Sequence, residues 1–316
     1  IKIKNQKAVF LDIKGFHRTI SISNILDNLK FPFRIIKSII RSLNIIYKYN
    51  PQLVIGTGGY SSGIPLISAI ILGKKILIQE QNSYPGFTTR TLSKFAHRIC
   101  IGYNSSKKYF KNNTVFSGNP IRKDLFIIDN MQAKKDLNLD NNKFTIFICG
   151  GSQGSKPINE HVIKNLDFYN NLNANIIWQC GVNNLKTISL LNLNQNIKLY
   201  DFINYMDKVY SASDLVISRS GALTLSEINY FGKASILIPY PFSAGNHQYE
   251  NAIYSEKSNA AIIIEQKKLN TGLLEKKINH LKKSPNIIKE MSIAAQSLHT
   301  PNAINIIIKE IDNIIC

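Results

Sequence analysis

Acidic residues are scarce in this chain, with 20 Asp and Glu against 39 Lys and Arg, for a formal charge of +19. That imbalance predicts attraction to polyanions: nucleic acid, an anionic membrane face or a phosphorylated substrate. The accompanying bias toward Ile, Lys and Asn is that of an AT-rich genome, which discounts charge as a functional signal. No nucleic-acid motif, aromatic stacking platform or clustered basic tract goes with it, so nucleic acid is not an expected partner. Cysteine is thin as well. Cys100, Cys149, Cys180 and Cys316 form no CxxC pair, which argues against a zinc site or a disulfide framework and fits a reducing compartment. Long apolar runs are missing too. The most apolar window, Gly63 to Gly73, is closed by Lys74 and Lys75, short of the roughly 20 residues of a spanning helix. Ile1 to Lys7 mixes lysine with isoleucine and lacks the apolar core of a signal peptide. The chain opens on Ile rather than Met, so its true start is expected upstream.

With 316 residues, 44% of them hydrophobic and 19% charged, the chain has enough apolar material for two ordinary cores and is neither disordered nor collagen-like. From Asn50 onward one pattern repeats: a short apolar run, a glycine- or hydroxyl-rich turn, then a stretch with helical spacing. The predicted strands are Gln52–Ile55, Lys75–Ile78, Phe144–Cys149, Asn175–Gln179 and Leu215–Ile217. Strands without polar alternation, each leading into a helix, imply parallel sheets covered on both faces. The break between two such α/β domains is expected near Pro120–Asn142, where a Gly-Asn-Pro turn and a polar stretch precede a fresh strand. Ligands of open parallel sheets gather at the carboxyl ends of the strands, so the glycine loops are the site candidates, expected across a shared cleft.

Three loops stand at equivalent positions. Gly150-Gly151-Ser152-Gln153-Gly154 can turn sharply and bring a helix start near Ser155 against an anion such as phosphate. For one such loop, a tight turn without a ligand is an equal alternative. Gly56-Thr57-Gly58-Gly59-Tyr60 and Ser218-Arg219-Ser220-Gly221-Ala222-Leu223-Thr224 repeat the arrangement, and three loops together argue for a ligand. Gln79-Glu80-Gln81-Asn82 ends an apolar strand with four polar side chains, which burial without partners would disfavour; a ligand-facing role is favoured over a structural one. Glu227, on the helix after Ser220, can accept from sugar hydroxyls or simply be solvated. Asn246 to Asn251 reads as a loop rich in donors and acceptors, and its His247 is more readily a solvated residue than a catalytic one.

These segments, together with Gly118-Asn119-Pro120-Ile121-Arg122 and His247-Gln248-Tyr249, stand in the order and spacing of the MurG family, which the chain resembles over nearly its whole length. The resemblance implies a GT-B fold of two Rossmann-like parallel-sheet domains facing across a cleft. It divides the chain into 1–122 (acceptor and membrane domain, truncated at its start), 123–299 (UDP-sugar donor domain) and 300–316 (a terminal helix that returns to the first domain and limits hinge motion). The implied reaction is an inverting transfer of N-acetylglucosamine from UDP-N-acetylglucosamine to the undecaprenyl-diphosphate-linked muramyl-pentapeptide of peptidoglycan synthesis. No cofactor or obligatory metal is implied. The donor residues carried over are Asn82, Arg122, Ser152, Ile203, Ala222, Leu223, Thr224, Leu225, Ser226, Glu227 and Gln248. Of these, Arg122 can neutralise diphosphate charge, Ser152 and Thr224 can donate to its oxygens, Glu227 can hold the ribose and Gln248 can read the sugar. Ile203 is expected to meet uracil through its backbone.

The family opens with a strand and a glycine-rich loop ending in a histidine that is a favoured candidate for the catalytic base. Ile1 to Gly15 resembles a region already past that unit, so either the sequence is incomplete or the protein is an impaired remnant that binds without turnover. The base is thus unassigned, with Glu80 and Tyr60 as weak candidates. In Lys30 to Arg41, Phe33, Ile36 and Ile40 fall on one helical stripe beside Ile39, with Lys30, Arg34, Lys37 and Arg41 interleaved. That pattern suits peripheral attachment to an anionic membrane surface; packing on the protein's own sheet is the alternative. The family's proposed membrane patch lies here, with Ile70 nearby, and implies the cytoplasmic face of the inner membrane.

Overall fold

The computed structural model describes residues 8–12, 31–111 and 113–316. The opening segment, expected to lie past the family's first strand, is largely outside the described residues, as is Lys30. The chain divides into two units: 1–81 with 85–117 and 304–316, and 82–84 with 118–303.

In the first unit, the helix Phe31–Tyr49 stops at Asn50, which takes a left-handed φ of 43°. Pro51 follows, and that pairing ends helices for want of a further amide donor. Strands β1 (Leu53–Gly56), β2 (Lys75–Glu80), β3 (Arg98–Ile101) and β4 (Thr114–Phe116) form a parallel sheet in the order β1-β2-β3-β4. Among the described residues β1 is an edge. One face packs Ile76, Ile78, Ile99 and Ile101 against Leu66 and Ala69 of the helix Gly63–Ile71. The other face receives the last helix, Ala303–Ile315, whose Ile307, Ile311 and Ile314 meet Leu53, Leu77 and Cys100. Arg98 Nε lies 2.6 Å from Glu310 Oε2 and fixes that helix from the sheet side. Burial beneath it, with Glu310 adding, pushes the Cys100 thiol up to about 11.

Helix Phe31–Tyr49 buries Ser38, Ser42 and Ile46 and turns its largest apolar side chains outward: Phe33 is 77% exposed, Ile36 56% and Ile40 55%. Ile39, off that stripe, is half-buried. Ile70 is also half-buried and packs on the first core, while its neighbour Ile71 is exposed. No helix among the described residues is long and apolar enough to cross a membrane.

The second unit holds a six-stranded parallel sheet in the order β10-β9-β8-β5-β6-β7. Its strands are β5 (Thr145–Cys149), β6 (Asn175–Gln179), β7 (Ile197–Tyr200), β8 (Leu215–Ser218), β9 (Ala234–Leu237) and β10 (Ala261–Ile263). Alternate residues of β5 enter opposite cores: Ile146 and Ile148 join Trp178 and Ile217, whereas Phe147 and Cys149 join Tyr210 and Val216. Burial on both faces explains why these strands read as continuous apolar runs. The register sets Cys149 beside both Gln179 and Ser218, Gln179 beside Tyr200, and Ser218 beside Leu237. With Leu237 beside Ile263, all six strands therefore end in line, and the turns after them leave from one edge.

Candidate functional site

That common edge carries a cavity of about 410 Å³ lined by Gly150, Gly151, Gly154, Ser155, Arg219, Gly221, Thr224, Tyr240 and Gln248, with Lys156 and Pro157 completing it. The glycines are required by contact as well as by conformation. Gly151, Gly154 and Gly181 have φ of 91°, 74° and 89°, a region in which a Cβ is strained. A Cβ on Gly154 would stand 2.0 Å from the Cys180 carbonyl oxygen, and one on Gly181 2.2 Å from that of Gln153. The glycine loop thus lies backbone to backbone on the turn after β6. Gln179, buried at the end of β6, ties the site together: its Nε2 donates to the Gly151 carbonyl at 3.1 Å and its Oε1 accepts the Ile203 amide at 3.0 Å.

Two helices begin at the cavity. Lys156–Lys164 follows Ser155, and Ala222–Tyr230 follows Gly221; the unbonded amides of a helix start, fewer by one in the first helix because of Pro157, favour a negative group. Arg219 stands between them, 8% exposed. Its NH1 donates to the Ile238 and Pro239 carbonyls (2.9 and 3.1 Å), and its NH2 to Ser155 Oγ and Gln266 Oε1 (2.8 and 2.6 Å). Burial lowers its pKa to about 10. Ser220 Oγ donates to the Gln248 carbonyl (2.7 Å), and Gln248 Oε1 accepts the Tyr240 amide (3.0 Å).

Arg122 Nε lies 3.5 Å from Glu227 Oε1, and the buried Tyr210 hydroxyl donates to Glu227 Oε2 at 3.1 Å. Burial raises the Glu227 pKa, against the opposing pull of Arg122 and Tyr210. Asn82 Oδ1 accepts from Asn251 Nδ2 (3.1 Å), which also donates to the Ser220 carbonyl (3.3 Å); Asn251 Oδ1 accepts the Ser83 amide (2.8 Å).

The chain matches the glycosyltransferase family 28 N-terminal domain over residues 3–101 and the C-terminal domain over 145–307. It is 38% identical over 307 residues, 95% of this chain and 82% of the relative, to the UDP-N-acetylglucosamine–N-acetylmuramyl-(pentapeptide) pyrophosphoryl-undecaprenol N-acetylglucosamine transferase of Flavobacterium psychrophilum. The protein of that name from Thermoanaerobacter sp. is 35% identical over 312 residues, 96% of this chain and 84% of the relative. The crystal structure of Acinetobacter baumannii MurG superposes with a TM-score of 0.72 at 28% identity, covering 89% of this chain and 79% of that one. The chain belongs to the MurG family. It is an α/β glycosyltransferase of two parallel-sheet domains, a GT-B protein.

Against the MurG-family residues expected from sequence, the second unit brings Thr224 and Gln248 to the cavity and Arg122 to Glu227. Ser152 is exposed on the glycine loop. Several residues of the set turn away. Leu225 is 1% exposed in the core beside Ile228, because it lies on the inner face of its helix. Ala222 is buried, Ser226 returns its hydroxyl to the Ala222 carbonyl (2.9 Å), and Leu223 projects outward. The Ile203 side chain is buried and its amide is committed to Gln179, so a base meeting its backbone would meet the carbonyl. The segment at 246–251, read as a loop, mostly belongs to the helix His247–Lys257.

In the first unit, Gln79 and Glu80 are buried, and the Gln81 amide donates to the Thr57 carbonyl and the Gln79 side chain. Gln79 and Gln81 of the polar run therefore brace the loop at Thr57 from within, while its last member, Asn82, is bonded to Asn251 instead. Glu80 is 1% exposed, whereas Tyr60 is about half exposed and partial burial raises its hydroxyl pKa. Sequence reading missed Tyr210, Gln179 and the bonding of Arg219 and Asn251. A polar residue ending an apolar strand could have found Gln179, as it did Gln79. Nothing distinguishes Tyr210 from an ordinary core aromatic.

Proposed function

We propose that the chain catalyses the MurG-family reaction, transferring N-acetylglucosamine from UDP-N-acetylglucosamine to undecaprenyl-diphosphate-linked N-acetylmuramyl-pentapeptide with inversion. What carries this reading is the 38% identity across 95% of the chain to a transferase of that name. In the reaction, the acceptor hydroxyl oxygen bonds to the anomeric carbon as the bond to the UDP oxygen breaks, and the hydroxyl proton passes to a base that stays unassigned. Negative charge develops on the departing diphosphate, where preformed donors stabilise it. The glycine loop and the two helix starts suit that task. Domains 1–122, 123–299 and 300–316 then serve as acceptor and membrane domain, donor domain and returning helix.

In the donor site, Glu227, positioned by Tyr210 and Arg122, accepts from ribose hydroxyls. The Ile203 carbonyl accepts from uracil, Thr224 and Ser152 donate to the diphosphate, and Gln248 and Asn82 address the sugar. The helix Ala222–Tyr230 contributes its first turn, with Leu225 supporting from the core. The exposed Phe33, Ile36 and Ile40, with Ile39 and Ile70 behind them, suit attachment to the anionic cytoplasmic face of the inner membrane. Turnover of UDP-N-acetylglucosamine with the lipid-linked acceptor, followed by mass spectrometry, tests the assignment. UDP binding without any transfer would instead favour a non-catalytic binder.

A further inference from the structure

Ser155 has the extended backbone of a helix N-cap, with φ −138° and ψ 110°, yet it makes no side-chain cap bond to the helix Lys156–Lys164. A serine at this position ordinarily accepts from an amide of the first turn. Here its oxygen instead accepts from Arg219 NH2 at 2.8 Å. The other three bonds from the two terminal nitrogens of Arg219 reach the Ile238 and Pro239 carbonyls and the Gln266 side chain. Those are neutral acceptors, and among the described residues no carboxylate forms an ion pair with this arginine. Four donors are thus spent on the walls of the cavity, which leaves little of the fork to grip a ligand. The positive charge nevertheless sits buried at the cavity.

We propose that Arg219 is a positioning residue for the diphosphate of the donor: it draws the Ser155 hydroxyl off the helix, keeps the Ile158 amide of the helix Lys156–Lys164, whose second residue Pro157 has no N–H, open to an anion, and ties the glycine loop to the segment at Pro239. The inference rests on the donor-site reading above and adds to it a residue that acts through Ser155. Without Arg219, Ser155 is already in the conformation to cap its own helix, and its side chain then competes with the ligand anion for the Ile158 amide.

The test compares UDP with uridine, which lacks the diphosphate, by isothermal titration on the full chain. Arg219→Gln should weaken UDP roughly 10- to 100-fold and leave uridine unchanged. Adding Ser155→Ala to Arg219→Gln removes the competing cap and should regain roughly fivefold in UDP affinity; Ser155→Ala in the otherwise unaltered chain should give no gain. Arg219→Lys, which restores the charge without the planar fork, should recover only part of the loss, and it serves in place of the glutamine variant should that one not fold. Equal losses of UDP and uridine, or further loss on adding Ser155→Ala, would mark Arg219 as a merely structural residue and overturn the proposal. Failure of the unaltered chain to bind either ligand would overturn the donor-site reading itself.

Discussion

Gly151 and Gly154 share one loop and one conformational preference, yet alanine should cost one mainly stability and the other mainly affinity. At Gly154, with φ 74°, an added Cβ would meet the Cys180 carbonyl oxygen at 2.0 Å and its carbon at 2.7 Å. Both are backbone atoms, so no side chain can swing aside. The left-handed conformation costs about 1–2 kcal/mol, and forcing the two turns apart adds about 1–3 kcal/mol. Together these give about 2–5 kcal/mol, a lowering of Tm by about 10 °C for a domain of this size. At Gly151, with φ 91°, nothing lies within 4 Å of the added atom, so only the conformational cost of about 1–2 kcal/mol applies. Its methyl stands at the cavity that Gly151 lines, where a diphosphate would approach. Calorimetry should therefore show the larger loss of Tm for Gly154→Ala. UDP titration should show Gly151→Ala losing at least tenfold in affinity, about 1.4 kcal/mol. Equal losses of stability, or Gly151→Ala binding UDP as tightly as the unaltered chain, would refute the reasoning.

Glu227→Ala and Gln248→Ala should each weaken UDP-sugar binding by about 1–3 kcal/mol; unchanged titrations for both would remove them from the site. Because burial raises the Glu227 pKa, its ionised form is less favourable in the folded than in the unfolded protein, so its contribution to stability is fully present only below the unfolded pKa and is lost as pH rises through the folded one. Glu227→Gln should accordingly raise Tm at pH 7, with the gain vanishing at acidic pH; a lowered Tm at pH 7 would contradict this. Phe33→Asp with Ile36→Asp should abolish sedimentation with anionic vesicles, and equal partitioning of both proteins would end the membrane assignment. In the native protein a thiol reagent should modify Cys316, the one exposed cysteine, while Cys100 stays protected; removing residues 303–316 should open Cys100, and continued protection would show that the last helix is not its cover.

Much of this arrangement was legible in the sequence, because apolar strands buried on both faces and glycine turns leave local marks. The strand expected at Asn175–Gln179 has those limits in the structure, the one expected at Gln52–Ile55 is shifted by one residue at both ends, and the others differ by a residue or two at one end. Helix Phe31–Tyr49 was visible in its stripe, but not its use of Ser38 and Ser42 as the buried side. At 246–251 a run of Asn, His and Gln hid a helix that Asn251, Ala252 and Ser255 hold by burial rather than by propensity. The role of Leu225 was misread because a contiguous motif takes no account of helix phase. Arg219 stood inside a quoted motif, but its four acceptors come from 19, 20, 47 and 64 residues away, and no local pattern announces such partners.

The closing helix has a bearing on how the protein is made. Leu77 and Cys100 acquire their cover from Ile314, so the half synthesised early keeps one flank bare until the helix Ala303–Ile315 has been made. The later half draws its own sheet from continuous sequence and can mature first, which makes the earlier half the natural client of chaperones on the ribosome and the part that suffers most when that helix is lost.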